Sequence, residues 1–281
     1  MRKRSLQFAR MLATACVSMC LAGAVAAQEK ILFGAVGYGL GSGQNLVGQS
    51  FVYDDQGQAL TAADEYLIVG DAARLRGGFE FPLSNRLAIR LGSEFAFMPT
   101  LEMMNEYPSP RKPDITTVSN RFIALNALLM LSKQASSVRL LFGFGPGLFF
   151  NHLTREQQTY GREFDWIPGF NRTVEYHNKI EYSYKTAVGY NGLFGIERPL
   201  SRGAALFVEL QIQYVHFDLD KMEVVEATAA SRNMLVQLDV DPATDGYQKV
   251  LRFDEQSRQR HPVGELKGGN MSLSFGFKVH L

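Results

Sequence analysis

Cysteine is scarce in this chain and is confined to its N-terminal end. Both cysteines, Cys16 and Cys20, fall inside an apolar run that extends from Met11 to Ala27. Residues 28–281 therefore have none, which excludes disulfides, thiolate zinc sites and cysteine nucleophiles from that part of the chain. A domain formed there has to be stable without covalent cross-links.

Long apolar runs are also missing after Ala27. The rest of the chain has no stretch of about 18 consecutive apolar residues, so the sequence predicts no transmembrane helix there. If this part crosses a membrane, it has to cross as a closed β-barrel. Only helices and closed barrels satisfy every backbone polar group in lipid.

An excess of positive charge is the third missing feature. Without the four basic residues before Met11, 25 Lys and Arg remain against 28 Asp and Glu, a net charge of −3. No basic field for a nucleic acid is present. We therefore expect no nucleic-acid partner.

The N-terminal segment has the three parts of a secretory signal peptide. A basic start precedes the apolar run, which ends in Val25-Ala26-Ala27 before Gln28, a small-x-small cleavage pattern. The alternative is a membrane anchor, but the run is short and carries the cleavage pattern at its end. Lipidation is not expected, because Cys20 follows Met19. We predict a signal peptide over residues 1–27 and one exported domain over residues 28–281.

Strict alternation of apolar and polar residues dominates three stretches of this domain. Residues 86–97, 205–217 and 272–281 place apolar side chains on one face and polar ones on the other, as a strand with two different surroundings does. Weaker or more glycine-rich candidates bring the number of predicted strands to eight: 31–39, 74–83, 120–131, 138–150 and 184–200. Most approach the roughly 9 to 11 residues that a tilted transmembrane strand needs.

The connections between these strands alternate in length. Three are tight turns and four are long, the pattern of outer-membrane barrels with their short turns in the periplasm. The short ones are 84–85, 132–137 and 201–203, and the long ones are 40–73, 98–119, 151–183 and 218–268. The sequence thus predicts an all-β fold: an eight-stranded antiparallel transmembrane β-barrel with four long extracellular loops. A lipocalin-like soluble periplasmic carrier is the alternative, with its apolar face turned inward.

The last long connection contains further alternation. Residues 234–240 and 247–253 alternate on either side of a turn at 242–246. We predict that they form a hairpin that extends the barrel wall outside the membrane. Ten membrane strands is the alternative, disfavoured because these runs are short.

The C-terminus resembles the β-signal of outer-membrane proteins. Ser274 is polar, Gly276 follows two residues later, and the apolar Val279 and Leu281 alternate at the end of the chain. The resemblance implies recognition by the barrel-assembly machinery and residence in the outer membrane of a Gram-negative bacterium, with lipid as the main partner. Leu281 departs from the family, which usually closes on an aromatic residue.

The layout of the whole domain resembles the small OmpA/OmpX-type outer-membrane barrel family. Eight strands, alternating loop lengths and the glycine-rich stretch 142–150 carry this likeness. It implies a porin-like fold, and a monomer is expected. It supports the fold and says little about function.

If the apolar faces meet lipid, the charged faces must fill the lumen. Such a barrel is only just wide enough for its own side chains, so paired charges would plug it. The predicted lumen residues are nearly balanced in charge: Arg76, Glu80, Arg90, Glu94, Arg139, Lys185, Glu197, Glu209 and Lys278. A narrow channel for small solutes is the alternative.

Signals for catalysis or a cofactor are weak. His216 and Asp218 share a face at the loop end of a strand, with Asp220 beyond, and such a pair can activate water. A strand running into an acidic loop explains the same residues, so we predict no enzyme. The glycine-rich stretch 143–147 lacks the Lys and Ser/Thr of a phosphate loop. The histidines other than His216 show no ligand spacing with cysteine or with one another. No cofactor or metal is expected.

The third long connection is rich in aromatic residues. It contains Trp166, the only tryptophan, together with Phe170. Aromatic residues of this kind are enriched at binding hot spots, so these two are candidates for recognition of an extracellular ligand of unknown identity. Tyr182 and Tyr184 are expected in the outer aromatic girdle, at headgroup level.

Overall fold

The computed structural model describes most of residues 28–281. The described residues are 30–54, 56, 58–108, 112–164, 171–201, 203–231, 237–239, 250–252 and 265–281. The predicted signal peptide and the two loop candidates, Trp166 and Phe170, lie outside them. No helix within these ranges has the length and the apolar character that a membrane span needs.

The described chain is all β-structure. Its strands in chain order are β1 Ile31–Gly41, β2 Gly43–Tyr53, β3 Ala59–Val69, β4 Ala72–Pro82, β5 Leu87–Phe97, β6 Leu101–Asn105, β7 Asp114–Ala135, β8 Val138–Phe164, β9 Asn171–Tyr184, β10 Ala187–Ser201, β11 Ala204–Ser231, β12 Gln237–Asp239, β13 Val250–Arg252 and β14 Glu265–His280. Eight of them close a ring in the order β1, β4, β5, β7, β8, β10, β11, β14, with every neighbour antiparallel. The predicted eight-stranded barrel is confirmed.

The first and last strands of the ring pair with each other. Ile31 of β1 lies opposite His280 of β14 on one side and Glu80 of β4 on the other. Closure leaves no strand of the ring with an unpaired edge, which is what a barrel in lipid requires.

Short turns lie at one end of the ring, as predicted. The β4–β5 turn is held by Ser84, whose Oγ accepts hydrogen bonds from the backbone N–H groups of Arg86 and Leu87. The β7–β8 turn places Ser136 in the left-handed region with φ 55°. The long connections leave from the opposite end.

Side-chain alternation assigns the two faces of the wall. Along β14, Ser272 and Ser274 are buried, whereas Leu273 and Phe275 are exposed. The exposed apolar side chains form a belt around the ring: Leu32, Val36, Leu75, Phe79, Phe95, Ile123, Leu125, Phe142, Phe144, Leu148, Val188, Phe194, Ile196, Leu206, Val208, Ile212, Met271, Leu273, Phe275 and Phe277. Apolar outside and polar inside is the opposite of a lipocalin-like arrangement. It identifies an integral barrel of the outer-membrane type.

The described residues of the third long connection are strands that continue the wall. β9 pairs with the outer halves of β8 and β11, in the place that β10 occupies nearer the short turns. The chain leaves the ladder at Lys185, whose N–H donates to the carbonyl of Asp218, and re-enters as β10. The expected girdle positions of Tyr182 and Tyr184 are wrong, since both side chains are buried inside the barrel.

The described residues of the fourth connection also continue the wall. Within the described residues, β12 and β13 each pair with β11, at Thr228 with Asp239 and at Lys221 with Arg252. These described residues extend the wall along β11, and the predicted hairpin turn at 242–246 lies outside the described ranges. The ring itself has eight strands, not ten.

Candidate functional site

Arg90 lies at the centre of the lumen. Its Nη1 is 2.7 Å from Glu209 Oε1, and its Nη2 is 2.9 Å from Glu80 Oε2. All three side chains are almost fully buried. The guanidinium also lies 4.7 Å from the centre of the Phe33 ring and 5.8 Å from that of Phe207, which adds cation–π attraction.

A second group of charges continues this network toward the long-loop end. Arg76 Nη2 is 3.0 Å from Glu209 Oε2, so that carboxylate joins two arginines. Above it, Arg74 forms an ion pair with Glu94 and donates a 2.7 Å hydrogen bond to Gln213. Gln213 in turn donates to Glu94 at 3.0 Å, which closes a small ring of polar contacts.

A third group continues it toward the short turns. Lys278 Nζ lies 3.0 Å from Glu80 Oε2 and 2.6 Å from Glu197 Oε2, although the lysine is only 2% exposed. Arg139, half-exposed at the end of the barrel, pairs with Glu197 at 3.2 Å. A column of paired charges therefore fills the lumen: ion pairs connect Arg76 to Arg139 without a break, and the Arg74–Glu94 pair lies beyond Arg76.

Little open space remains beside this column. A cavity of about 20 Å³ lies among Phe33, Arg76, Arg90 and Gln211. That volume accommodates roughly one water molecule. The interior is packed at the level of the ion pairs.

The structure brings the predicted lumen residues together with one exception. Lys185 is exposed at the β9–β10 junction and does not belong to the column. Strict alternation from β10 would have turned it inward, but the chain has left the ladder there. The fifth positive side chain in the lumen is Arg74, which was not predicted. Its spacing of two residues from Arg76 places both side chains on the same face of β4, and this spacing could have identified it.

An apolar layer covers the charged column at the long-loop end. Val47 of β2 and Leu67 and Val69 of β3 pack inside the mouth of the barrel with wall residues that include Phe149 and Phe217. The β2–β3 hairpin that supplies them is fixed to the wall by Asn45. Its Nδ2 donates to the carbonyl of Lys267 at 3.2 Å, and its Oδ1 accepts from the Lys267 N–H at 2.9 Å. Two layers of side chains thus lie inside the barrel, one ionic and one apolar.

The candidate catalytic pair lies outside the barrel wall. His216 alternates with the buried Val215 and Phe217, so its side chain points away from the lumen. Its Nε2 is 3.3 Å from Asp218 Oδ1 and 3.7 Å from Oε2 of Glu265 on β14. Asp220 is half-buried one pleat further out on the same face of β11.

The predicted assembly signal forms the last part of β14. Ser274 is fully buried, facing the lumen opposite Glu209 and Gly37. Leu281 follows the last strand residue and is 68% exposed, with its N–H donating to the carbonyl of Lys30 at 2.8 Å.

The outer part of the wall carries exposed ion pairs. Lys179 of β9 lies 2.9 Å from Glu156 of β8, and this hydrogen bond raises the pKa of Lys179. His177 Nδ1 is 3.4 Å from Glu226 Oε1, and His152 Nε2 is 3.6 Å from Glu181 Oε2. This surface is polar, in contrast to the apolar belt below it.

Comparisons with known proteins find likeness in structure alone. No family model and no curated protein matches the chain. A major outer membrane protein from Thermus thermophilus is 12% identical, with 90% of this chain and 100% of that chain covered and a TM-score of 0.39. The outer membrane protease OmpT from Escherichia coli is 10% identical, with 90% and 97% covered and a TM-score of 0.37. The translocator domain of the autotransporter NalP from Neisseria meningitidis is 11% identical, with 99% and 97% covered and a TM-score of 0.24. With scores this low, no residue role is carried over to this chain.

Proposed function

We propose that this protein is a monomeric outer-membrane barrel of the small OmpA/OmpX type, closed to solutes, whose role is structural and whose outer end serves surface recognition. The observation that carries the proposal is the chain of ion pairs that runs through the lumen from Arg76 to Arg139, with the buried Arg74–Glu94 pair beyond it toward the long-loop end. A solute that crosses the lumen would have to separate these pairs. Separating one buried pair costs about 3–5 kcal/mol, because each charge is left without its partner.

The apolar layer favours closure as well. A hydrated ion that enters from the long-loop end meets Val47, Leu67 and Val69 before it reaches any charge. Burying an ion among apolar side chains is strongly unfavourable. A narrow channel would need a continuous polar path instead.

A non-enzymatic role fits the position of His216 and Asp218. The pair is exposed on the outer face of the wall and, within the described part of the chain, does not lie in a cleft that could surround a substrate. Catalytic sites usually lie in concave pockets that exclude water. We therefore assign no catalytic residue.

Recognition is proposed for the long-loop end because loops carry binding while rigid walls position them. β8, β9 and β11 form such a wall beyond the apolar belt. Trp166 and Phe170, between β8 and β9 in the sequence, remain the proposed contact residues. Folding into the membrane is proposed to depend on the barrel-assembly machinery, through Ser274 to Leu281.

Planar-bilayer recording tests the closed lumen. Pure folded protein should give no steady, well-resolved conductance. A matched variant in which Arg76, Arg90 and Glu209 are all changed to Ser removes the centre of the column and should admit more ion current if it folds. Steady unitary conductance from the unmodified protein would contradict the closed barrel and favour the narrow channel.

A further inference from the structure

We propose that His216, Asp218 and Glu265 form a binding site for a divalent transition-metal ion, Zn²⁺ being the best match, on the outer surface of the barrel wall. The site goes beyond the role proposed above. It depends neither on closure of the lumen nor on the loops.

The three side chains come from adjacent strands in direct register. Asp218 of β11 lies opposite Glu265 of β14, and His216 is two residues before Asp218 on the same face. One ligand atom from each residue lies within 4.8 Å of the other two. His216 Nε2 is 3.3 Å from the Asp218 carboxylate and 3.7 Å from the Glu265 carboxylate.

The two separations measured from His216 Nε2, 3.3 and 3.7 Å, are close to what a zinc ion requires. Zinc binds imidazole nitrogen and carboxylate oxygen at about 2.0–2.2 Å, usually in a tetrahedron. Ligand atoms at two corners of that tetrahedron are roughly 3.3–3.6 Å apart. The observed spacing therefore needs only small side-chain movements to surround an ion.

The backbone beneath the site is rigid. On the inner face of the same strands, Phe217, Leu219 and Leu266 are fully buried in the apolar layer. The pairing of Phe217 with Leu266 and of Asp218 with Glu265 fixes the two strands relative to each other. Sites placed on such elements hold their geometry better than sites on loops.

The chemistry of the three ligands favours a cation, and it favours a transition-metal ion over calcium or magnesium. Two carboxylates placed directly opposite each other on neighbouring strands repel, and a cation between them removes that repulsion. Imidazole suits zinc, copper and nickel, whereas calcium and magnesium prefer oxygen ligands alone. Lys267, exposed and opposite His216, is a competing cation. Its ammonium would hold acceptors at hydrogen-bond distances of about 2.7–2.9 Å, whereas zinc binds them at about 2.0–2.2 Å.

The protein offers a matched comparison. Among the described residues, His177 also faces a carboxylate, at 3.4 Å from Glu226, but no second acidic group was found to complete a three-ligand cluster there. A histidine with one carboxylate supplies two ligands and should hold zinc far more weakly. His177→Gln is thus a control for surface histidine chemistry.

The experiment titrates purified, folded barrel in detergent with Zn²⁺ alone by isothermal calorimetry, and with Co²⁺ by visible absorption. We expect one bound ion per chain. His216→Gln, Asp218→Asn and Glu265→Gln should each weaken binding by at least about tenfold, as loss of a ligand does, and His177→Gln should leave it unchanged. All four side chains are on the surface, and migration before and after heating on a denaturing gel verifies that each variant is folded.

Two results would overturn the site. The first is failure of the unmodified barrel to bind a single equivalent of Zn²⁺. The second is a His216→Gln, Asp218→Asn or Glu265→Gln variant that binds like the unmodified protein.

Discussion

At the scale of single residues, the interior is organised around groups with several charged partners. Arg90 contacts two carboxylates, and Glu209 and Glu80 each contact two cations. Two partners compensate a buried charge for its lost hydration. Because the partners are shared, removal of any one charged side chain leaves other buried charges with fewer partners. The pairing also explains how five positive and four negative side chains fit inside so narrow a barrel.

Replacement of Arg90 by Met tests this sensitivity. It leaves Glu80 and Glu209 buried with one partner fewer each, so the free energy of unfolding should fall by about 3–5 kcal/mol. Arg139→Met is the control: its side chain is 36% exposed, and Glu197 keeps Lys278. That change should cost no more than about 1 kcal/mol. Urea unfolding in lipid vesicles measures both, and equal losses would contradict the network.

Sequence alone predicted most of this column because period-two alternation fixes which side chains share a face. It missed Arg74 because the strand was taken to begin there, while the ladder begins at Ala72. It misplaced Lys185 because alternation holds only inside a ladder, and nothing in the local residues marks the break between β9 and β10. The ion-pair partners could not be predicted in the same way. They depend on the register between neighbouring strands, which the sequence of one strand does not determine.

At the scale of elements, β14 shows how closely the strands approach. A side chain at Gly276 would place its first carbon 2.3 Å from the Phe207 ring and 2.4 Å from the carbonyl oxygen of Gly34. The second contact is with backbone, so it cannot be relieved by a rotamer change. Packing therefore requires glycine at this position of the terminal strand. This requirement is independent of any role of Gly276 in recognition by the assembly machinery.

Gly276→Ala should consequently destabilise the purified barrel by about 1–3 kcal/mol, the usual cost of overpacking. Gly192 of β10 is the matched control, because a carbon added there meets no atom within 4 Å. Refolding into detergent followed by urea titration compares Gly276→Ala with Gly192→Ala. Full stability of the first variant would mean that glycine at 276 serves recognition alone.

The elements that sequence analysis missed are those outside the membrane. β2, β3, β6 and β9 lie in segments expected to be loops. Their alternation is irregular because they have no lipid on one side: β3 is exposed over most of its length and buried only near Leu67 and Val69. The strict alternation of apolar and polar residues that predicted the membrane strands arises only where lipid covers one face of the strand. It is therefore absent from these strands.

At the scale of the whole molecule, the orientation of the barrel determines which surface meets the environment. Short turns and the paired ends at Lys30 and Leu281 lie at one end, and the β2–β3 hairpin at the other. Short turns of outer-membrane barrels face the periplasm. The hairpin end should then face outward.

Epitope insertion measures this orientation. A short epitope after Gln56, in the turn of the hairpin, should be labelled by antibody on intact cells, whereas one after Asn85, in the β4–β5 turn, should be labelled only after permeabilisation. Both positions are exposed, so insertion should leave the barrel folded. If intact cells were labelled only at Asn85, the orientation would be the reverse of the predicted one. The proposed recognition role of the hairpin end would then be contradicted.

The lengths of β8 and β11, 27 and 28 residues, also determine how far the protein reaches. At about 3.3 Å per residue and a tilt of roughly 40°, strands this long rise on the order of 65–70 Å. The apolar band of such barrels is only about 25 Å tall. The outer ends of β8 and β11 thus lie tens of ångströms from the lipid, at the end of a rigid extension of the wall. A large partner can therefore contact them without approaching the bilayer.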